Sequence, residues 1–357
     1  MKAFKILAAA LIATSAFRAD ACTSMIVSAK ASADGRPILW KHRDTSAMDN
    51  FLYRVEKPGK IGYVGLFNGS DSLRTDEAWM GMNDAGFAIM NTVAYNLPAN
   101  SPDYIDREGF VMAQALEECK TIDDFEALLE RLPKPLGVMT NFGVMDASGN
   151  GAYFETDDYT FERYNLSDAD NGVLIRTNYA YGGTPDEGMG YIRHQNVQDL
   201  LAHQIETGSI TPASLTETLS RTFYNSVTCF DAAQSSEKWA VDQDFIPRHS
   251  STSSIAIEGL KPGEEASAMV MWANIAYPPC SHVVAVTLDS IPADALPIAA
   301  DYAHARLSLD AMERMKQVFP ITRGNGEKYI DLDAVRAISD EQSGISLEEY
   351  ARKAASR

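Results

Sequence analysis

The sequence predicts an α+β fold of antiparallel sheets with helices packed outside them. Three observations carry that expectation. Strand-like runs come as hairpin pairs rather than as single strands between helices. The groups follow one another as strands, helices, strands, helices, strands. No internal repeat, low-complexity linker or composition break divides the 357 residues, of which 45% are hydrophobic, enough for one large core.

The first residues read apart from the fold. Lys2 and Lys5 make a basic start, 6–13 is an unbroken apolar run, and Ala19-Asp20-Ala21 offers small residues at both recognition positions of a signal peptidase. This is the pattern of a secretory signal peptide, 1–21, cut before Cys22. The apolar run falls well short of the roughly 20 residues that cross a bilayer. Lipid attachment prefers an aliphatic residue three before the cysteine, where Ala19 stands. A periplasmic or secreted protein is therefore expected rather than a membrane-spanning one, with a lipoprotein as the lesser alternative.

After the cut, 23–28 and 37–40 read as strands around the Asp34-Gly35 turn. A second hairpin, 77–82 with 87–92, turns at Asn83-Asp84-Ala85-Gly86, where the glycine can take a positive φ. Apolar residues at helical spacing mark 109–120 and 122–131, the second helix capped by Thr121 with acids in its first turn. Strands at 142–145 and 151–155 flank Asp146-Ala147-Ser148-Gly149-Asn150, the strongest hairpin signal in the chain, and 173–177 is a further strand. Helices are expected at 189–203 and 212–222, strands at 254–258, 268–272 and 283–288, then helix over 298–317 and near the end. The organisation is thus a leader 1–21, one domain over 22–290 and a helical extension 291–357 packed on it.

Acids outnumber bases 49 to 31, for a net charge of −18, and no basic stripe interrupts them. That balance argues against nucleic acid as a partner. The four cysteines, 22, 119, 229 and 280, match no zinc spacing, and neither a metal nor another cofactor is expected. In an oxidising compartment one pair can bridge, and Cys229 with Cys280 is the expected pair. Cys119 reads as a buried free thiol in its helix.

A cysteine attacks only as thiolate, and a thiol of pKa about 8.5 is mostly protonated at neutral pH. Cys22, once freed by the cut, carries its own base. Its α-amine, of pKa roughly 7.7–8.0, can take the thiol proton and return it to a leaving amine. No distant histidine is required, and the six present (42, 194, 203, 249, 282, 304) stand in no cysteine-protease motif.

Cys22-Thr23-Ser24 at the cut, Trp40-Lys41-His42-Arg43-Asp44, Gly81-Met82-Asn83-Asp84-Ala85-Gly86-Phe87 and Arg176-Thr177-Asn178 together resemble the N-terminal-nucleophile cysteine hydrolases. The groups most similar are the penicillin acylases and bile salt hydrolases, the aminopenicillanate acyltransferases and the bacterial dipeptidases, over residues 22 to about 288. The resemblance implies a four-layer αββα sandwich with the nucleophile at the start of a central strand. It implies that Asp44 orients the α-amine and that Asn178 lies near the oxyanion; Asn91, beside the 87–92 strand, is the second candidate donor. Lys41 stands where the acylase group has an arginine, three residues before the aspartate, and Arg43 is its neighbour; both are candidates for charge support. Where that group has a late arginine, this chain has the hydroxyls of 250–254 with Arg248 nearby.

The activity implied is hydrolysis of a linear amide through a thioester, on a small substrate such as an N-acyl amino acid, a peptide or a related acyl amide. Acyl transfer and dipeptidase action are the alternatives within the superfamily. A non-catalytic periplasmic binding protein with Cys22 in a disulfide is the alternative outside it. A homo-oligomer stays open.

Overall fold

The computed structural model describes residues 21–98, 105–322 and 328–356, so that of the expected leader only Ala21 lies within the described residues. Two antiparallel sheets organise the chain. Its first ten strands are β1 (Thr23–Val27), β2 (Ile38–Asp44), β3 (Asn50–Val55), β4 (Tyr63–Asn68), β5 (Met80–Asn83), β6 (Ala88–Val93), β7 (Thr140–Met145), β8 (Gly151–Thr156), β9 (Phe161–Asn165) and β10 (Val173–Arg176). Strands β3 to β9 form a seven-stranded meander in sequence order. The other sheet runs β10-β1-β2 and continues through Ser251–Glu258, Val270–Ile275 and Val284–Val286.

Side-chain parity builds the layers. In β1, Met25 and Val27 pack with Val197 and Leu201 of helix α3 (Tyr191–Thr207), whereas Ile26 turns to the space between the sheets. Leu39 of β2 and Ile255 and Ile257 share that inner space with Ile89 and Val144 of the meander. Helices α1 (Glu108–Glu118) and α2 (Ile122–Arg131) join the same cluster, with Phe125 of α2 edge-on to Phe142 and Phe154 at 5.5 and 5.2 Å. With both faces covered, β1, β2, β7 and β8 are buried along their whole length. The architecture is the αββα sandwich.

The C-terminal part departs from expectation. Within 298–317 only α4 (Arg306–Val318) is helical. It follows a small hairpin, Pro297–Ala299 with Tyr302–Ala305, whose Ala303 exchanges backbone hydrogen bonds with Ser70. The alanines there favour a helix, but pairing with the 70–73 loop overrides propensity. The final helix, α5 (Leu332–Ala355), docks on the Val284–Val286 edge, with the Tyr350 ring 4.3 Å from Trp272 and Ser346 Oγ accepting the Val283 N–H at 2.8 Å. Among the described residues no helix is long and apolar enough to cross a membrane.

All four cysteines are free, which overturns the Cys229–Cys280 bridge. Cys280 is buried with Tyr277 and Val318, whereas Cys229 is exposed between the short strands Tyr224–Asn225 and Phe230–Asp231. Cys119 is buried in the α1 cluster.

Candidate active site

Register brings the motifs together. β1 pairs with β2 so that Thr23 faces His42, and with β10 so that Ser24 faces Arg176. Continued past the start of β1, one step on the first ladder and two on the second, these antiparallel registers carry Cys22 to the Arg43-Asp44 end of β2 and to Asn178 beyond β10. The Cys22 backbone N–H donates to Asn178 Oδ1 at 2.9 Å, and its sulfur lies 3.9 Å from the Asp44 carbonyl oxygen. Residues spread over 156 positions of sequence thus converge on one nitrogen and one thiol.

Parity in β2 sends its charged residues to opposite faces. Lys41 and Arg43 share the inner face with Leu39, between the sheets; His42 and Asp44 share the outer face with Trp40. Lys41 Nζ donates to Asn91 Oδ1 at 2.5 Å and to the Trp79 carbonyl at 3.1 Å. The Arg43 guanidinium stacks 4.6 Å from the Trp79 ring and donates to Asn50 Oδ1 at 2.8 Å. Asn91, on β6, turns its amide nitrogen to the carboxyl of Glu108 and to Thr140 Oγ1. Both ends of that amide are engaged, and Asn91 bridges Lys41 and Glu108.

On the outer face Asp44 is held from several directions. Oδ1 accepts the Ser251 hydroxyl at 2.6 Å, and Oδ2 accepts Arg248 Nη2 at 2.8 Å and Nε at 3.2 Å. Ser251 has one proton and gives it to Asp44, so His42 Nε2–H must donate to Ser251 Oγ, 2.8 Å away, leaving His42 Nδ1 without a partner. This is a neutral imidazole; burial pushes its pKa down to about 4 against the pull of Asp44. Arg248 Nη2 also reaches the Ala21 carbonyl, at 3.4 Å, tying Asp44 to the residue before Cys22. Arg248 therefore stands at the aspartate.

Arg193, the third residue of α3, is 1% exposed and lies behind the nucleophile candidate. Nη1 donates to the Cys22 carbonyl at 2.5 Å and to Thr23 Oγ1 at 2.9 Å; Nη2 donates to Asn178 Oδ1 at 2.7 Å. Asn178 completes its own set by donating Nδ2 to the Val93 carbonyl at 2.9 Å.

Burial raises the Cys22 thiol above its ordinary value, Lys41 opposes this most strongly, and Asp44 adds to the rise. The thiol is thus held protonated and needs a base before it can attack. Glu108, also 1% exposed, is pushed by burial up to about 8 and is a neutral acid at pH 7. Arg193, Glu108, His42 and Ser251 were not singled out from sequence. For Arg193 and Glu108 a signal existed: each charge lies on a buried helical stripe, with Asn196, Val197 and Leu201 in α3, and with Val111, Met112, Ala115 and Leu116 in α1. Among the described residues no cluster of three or more His, Cys, Asp or Glu is placed to hold a metal.

No protein-family model matches the chain, and no curated protein does. Solved structures do match. A conjugated bile acid hydrolase from Clostridium perfringens is 11% identical, over 76% of this chain and 93% of that one, with a TM-score of 0.47. A penicillin V acylase from Agrobacterium tumefaciens is 11% identical, over 76% and 87%, at 0.42. The Caenorhabditis elegans orthologue of N-acylethanolamine-hydrolysing acid amidase is 17% identical, over 54% and 87%, at 0.35.

Proposed function

We propose that the chain is an exported cysteine amidohydrolase in which removal of residues 1–21 frees Cys22 as nucleophile and base. The observation that carries this reading is the setting of the Cys22 nitrogen: it is bonded to Asn178 Oδ1, while Arg248 links the Asp44 carboxylate to the Ala21 carbonyl one bond away. An amine released at that position lies among acceptors suited to orient its protons. As long as Ala21 is attached, the nitrogen is an amide and no base. The four free cysteines weigh against the alternative in which Cys22 is a half-cystine of a binding protein.

In the reaction, the Cys22 α-amine takes the thiol proton and the thiolate attacks the substrate carbonyl carbon. The C–N bond breaks, the amine passes its proton to the leaving nitrogen, and a thioester remains. Water then attacks the thioester, giving its proton to the α-amine, and the acid leaves as the proton returns to sulfur. Lys41 favours the thiolate. Arg193, through Asn178 and the Cys22 carbonyl, fixes the nucleophile's backbone.

The test is intact mass and N-terminal sequencing of the expressed protein after reaction with iodoacetamide. A chain starting at Cys22 with one alkyl group on that thiol is expected. A chain that starts elsewhere, or a lipidated or unreactive Cys22, refutes the proposal.

A further inference from the structure

Parity sets the thiol among cations. Ile26 of β1 faces the space between the sheets, and the same alternation turns Ser24 and then Cys22 toward it; Ser24 Oγ lies 2.7 Å from the Tyr153 hydroxyl there. Lys41, which pairs with Ser24, and Arg43 share that face. Of the charges acting on the Cys22 thiol, Lys41 favours the thiolate most, Asp44 opposes it and Arg43 adds to the effect of Lys41.

The meander holds both cations by amide oxygens. Asn50 Oδ1 takes Arg43, while the carbonyls of Met48 and Thr252 hold the Asn50 nitrogen at 3.1 and 3.3 Å. Asn91 Oδ1 and the Trp79 carbonyl take Lys41, and here the amide nitrogen is held by Glu108, whose other oxygen accepts the Met139 N–H at 3.4 Å. Lys41, Asn91 and Glu108 are all buried, so bulk water does not compete for these bonds. An uncharged acceptor leaves the ammonium's charge to act on its surroundings, where a carboxylate in its place would cancel much of it. An amide turned over would present N–H groups to Lys41, so whatever fixes the amide fixes the cation.

We propose that Glu108 is a positioning residue for the Cys22 chemistry: by holding the Asn91 amide with its oxygen toward β2, it sets where the Lys41 ammonium stands and so how reactive the thiol is. The inference rests on the reading of Cys22 as nucleophile and adds to it a residue of α1 that acts through Asn91. The groups facing Glu108 are Asp106 ahead of α1, Lys41 of β2, and the Met139 N–H and Thr140 hydroxyl at the start of β7. Burial, and then Asp106, keep its carboxyl protonated at pH 7, which leaves the Lys41 charge whole.

The test is the pH profile of Cys22 alkylation by iodoacetamide, read by intact mass on the processed protein. Glu108→Gln keeps an oxygen for the Asn91 amide and should leave the rate at pH 7 and the midpoint close to the parent's. Glu108→Leu removes that oxygen; the rate at pH 7 should fall by about twofold to tenfold, the range of one lost hydrogen bond, and the midpoint should rise. Should Glu108→Leu fail to fold, Glu108→Ala reads the same effect. Asn91→Leu should slow the reaction as well, and adding Glu108→Leu to it should slow it no further, because both break one link. A Glu108→Leu protein that melts early yet keeps the parent's profile overturns the proposal and leaves Glu108 a structural residue. A rate that rises in both Glu108 variants overturns it too, since the carboxyl would then be an ionised counter-charge to Lys41. So does a Glu108→Gln as slow as Glu108→Leu, or a double variant showing the sum of both effects. Failure of the nucleophile reading has a different signature: the parent itself is not alkylated at Cys22 at any pH, and Glu108 then has no thiol to serve.

Discussion

Arg193 Nη2 donates at 2.7 Å to the same Asn178 Oδ1 that accepts the Cys22 N–H at 2.9 Å. One oxygen therefore takes a donor from the nucleophile candidate and another from a buried cation, and the second fixes which way the amide faces. With Oδ1 committed to Cys22 and Arg193, Nδ2 is left to the Val93 carbonyl. Arg193→Met is expected to release the amide and to remove the buried cation bonded to the Cys22 carbonyl. Alkylation of the processed protein by iodoacetamide at pH 7 should slow by about tenfold to a hundredfold, the range of a charged hydrogen bond of about 1.5–3 kcal/mol. Its pH midpoint should move upward, and Arg193→Lys should recover part of the loss. A lowered melting temperature with an unmoved midpoint would reduce Arg193 to a structural residue.

Glu108 ties stability to pH. Its carboxyl goes from an ordinary 4.5 to about 8 on burial, so the folded state keeps a proton that the unfolded state has lost. Stability must fall as pH rises between those values. His42 and His194 act in the opposite sense, because burial lowers both from 6.5 to about 4, and their slope fades as the unfolded-state imidazoles lose their protons, by about pH 7.5. From about pH 7 to 8 the Glu108 slope should exceed theirs. Urea melts of Glu108→Gln across that window should be flatter than those of the parent; an unchanged slope would show that the carboxyl is ionised in the fold.

A second buried pair supports the Asn178 side. Arg176 Nε donates to Glu155 Oε1 at 2.8 Å, and its guanidinium lies 3.5 Å from the Tyr181 ring centre and 5.0 Å from those of Tyr153 and Tyr164. Glu155 also accepts the backbone N–H groups of Tyr181 and Gly182, holding the turn after Asn178. Glu155→Ala strands a buried cation and two amides, and should cost about 3–5 kcal/mol in chemical denaturation. A loss below 1 kcal/mol would mean that the tyrosines alone hold the guanidinium.

The parts of this site legible in the sequence were those written in local patterns. Cys22 was marked by the small residues before it, Asp44 and Asn178 by short motifs, and the 146–150 and 83–86 turns by their turn residues. Three strands of the meander went unread: β4 has Gly65 at its centre, and β3 and β9 are short runs carrying charges, Arg54 in the one and Glu162 with Arg163 in the other. Asn91 was found as a residue but not as a bridge, because its role depends on Glu108, which reaches it only when α1 packs on β6. Cys229 and Cys280 show the same limit, since pairing is a matter of distance that spacing along a chain does not set.

Gly190 supplies the most discriminating variant. It precedes α3 with φ of +84°, a conformation that costs a residue with a side chain about 1–2 kcal/mol, and a Cβ there would run into the Arg193 guanidinium. Gly190→Ala is therefore expected both to destabilise the fold and to displace Arg193 from Asn178 without altering any residue that touches Cys22. Its alkylation midpoint should shift as that of Arg193→Met does. The double variant should react no more slowly than Arg193→Met alone, because the two substitutions break one link. If Gly190→Ala melts early but is alkylated like the parent, the guanidinium has found another route to Asn178. If the double variant shows the sum of both effects, Gly190 acts on the thiol by a path that does not pass through Arg193.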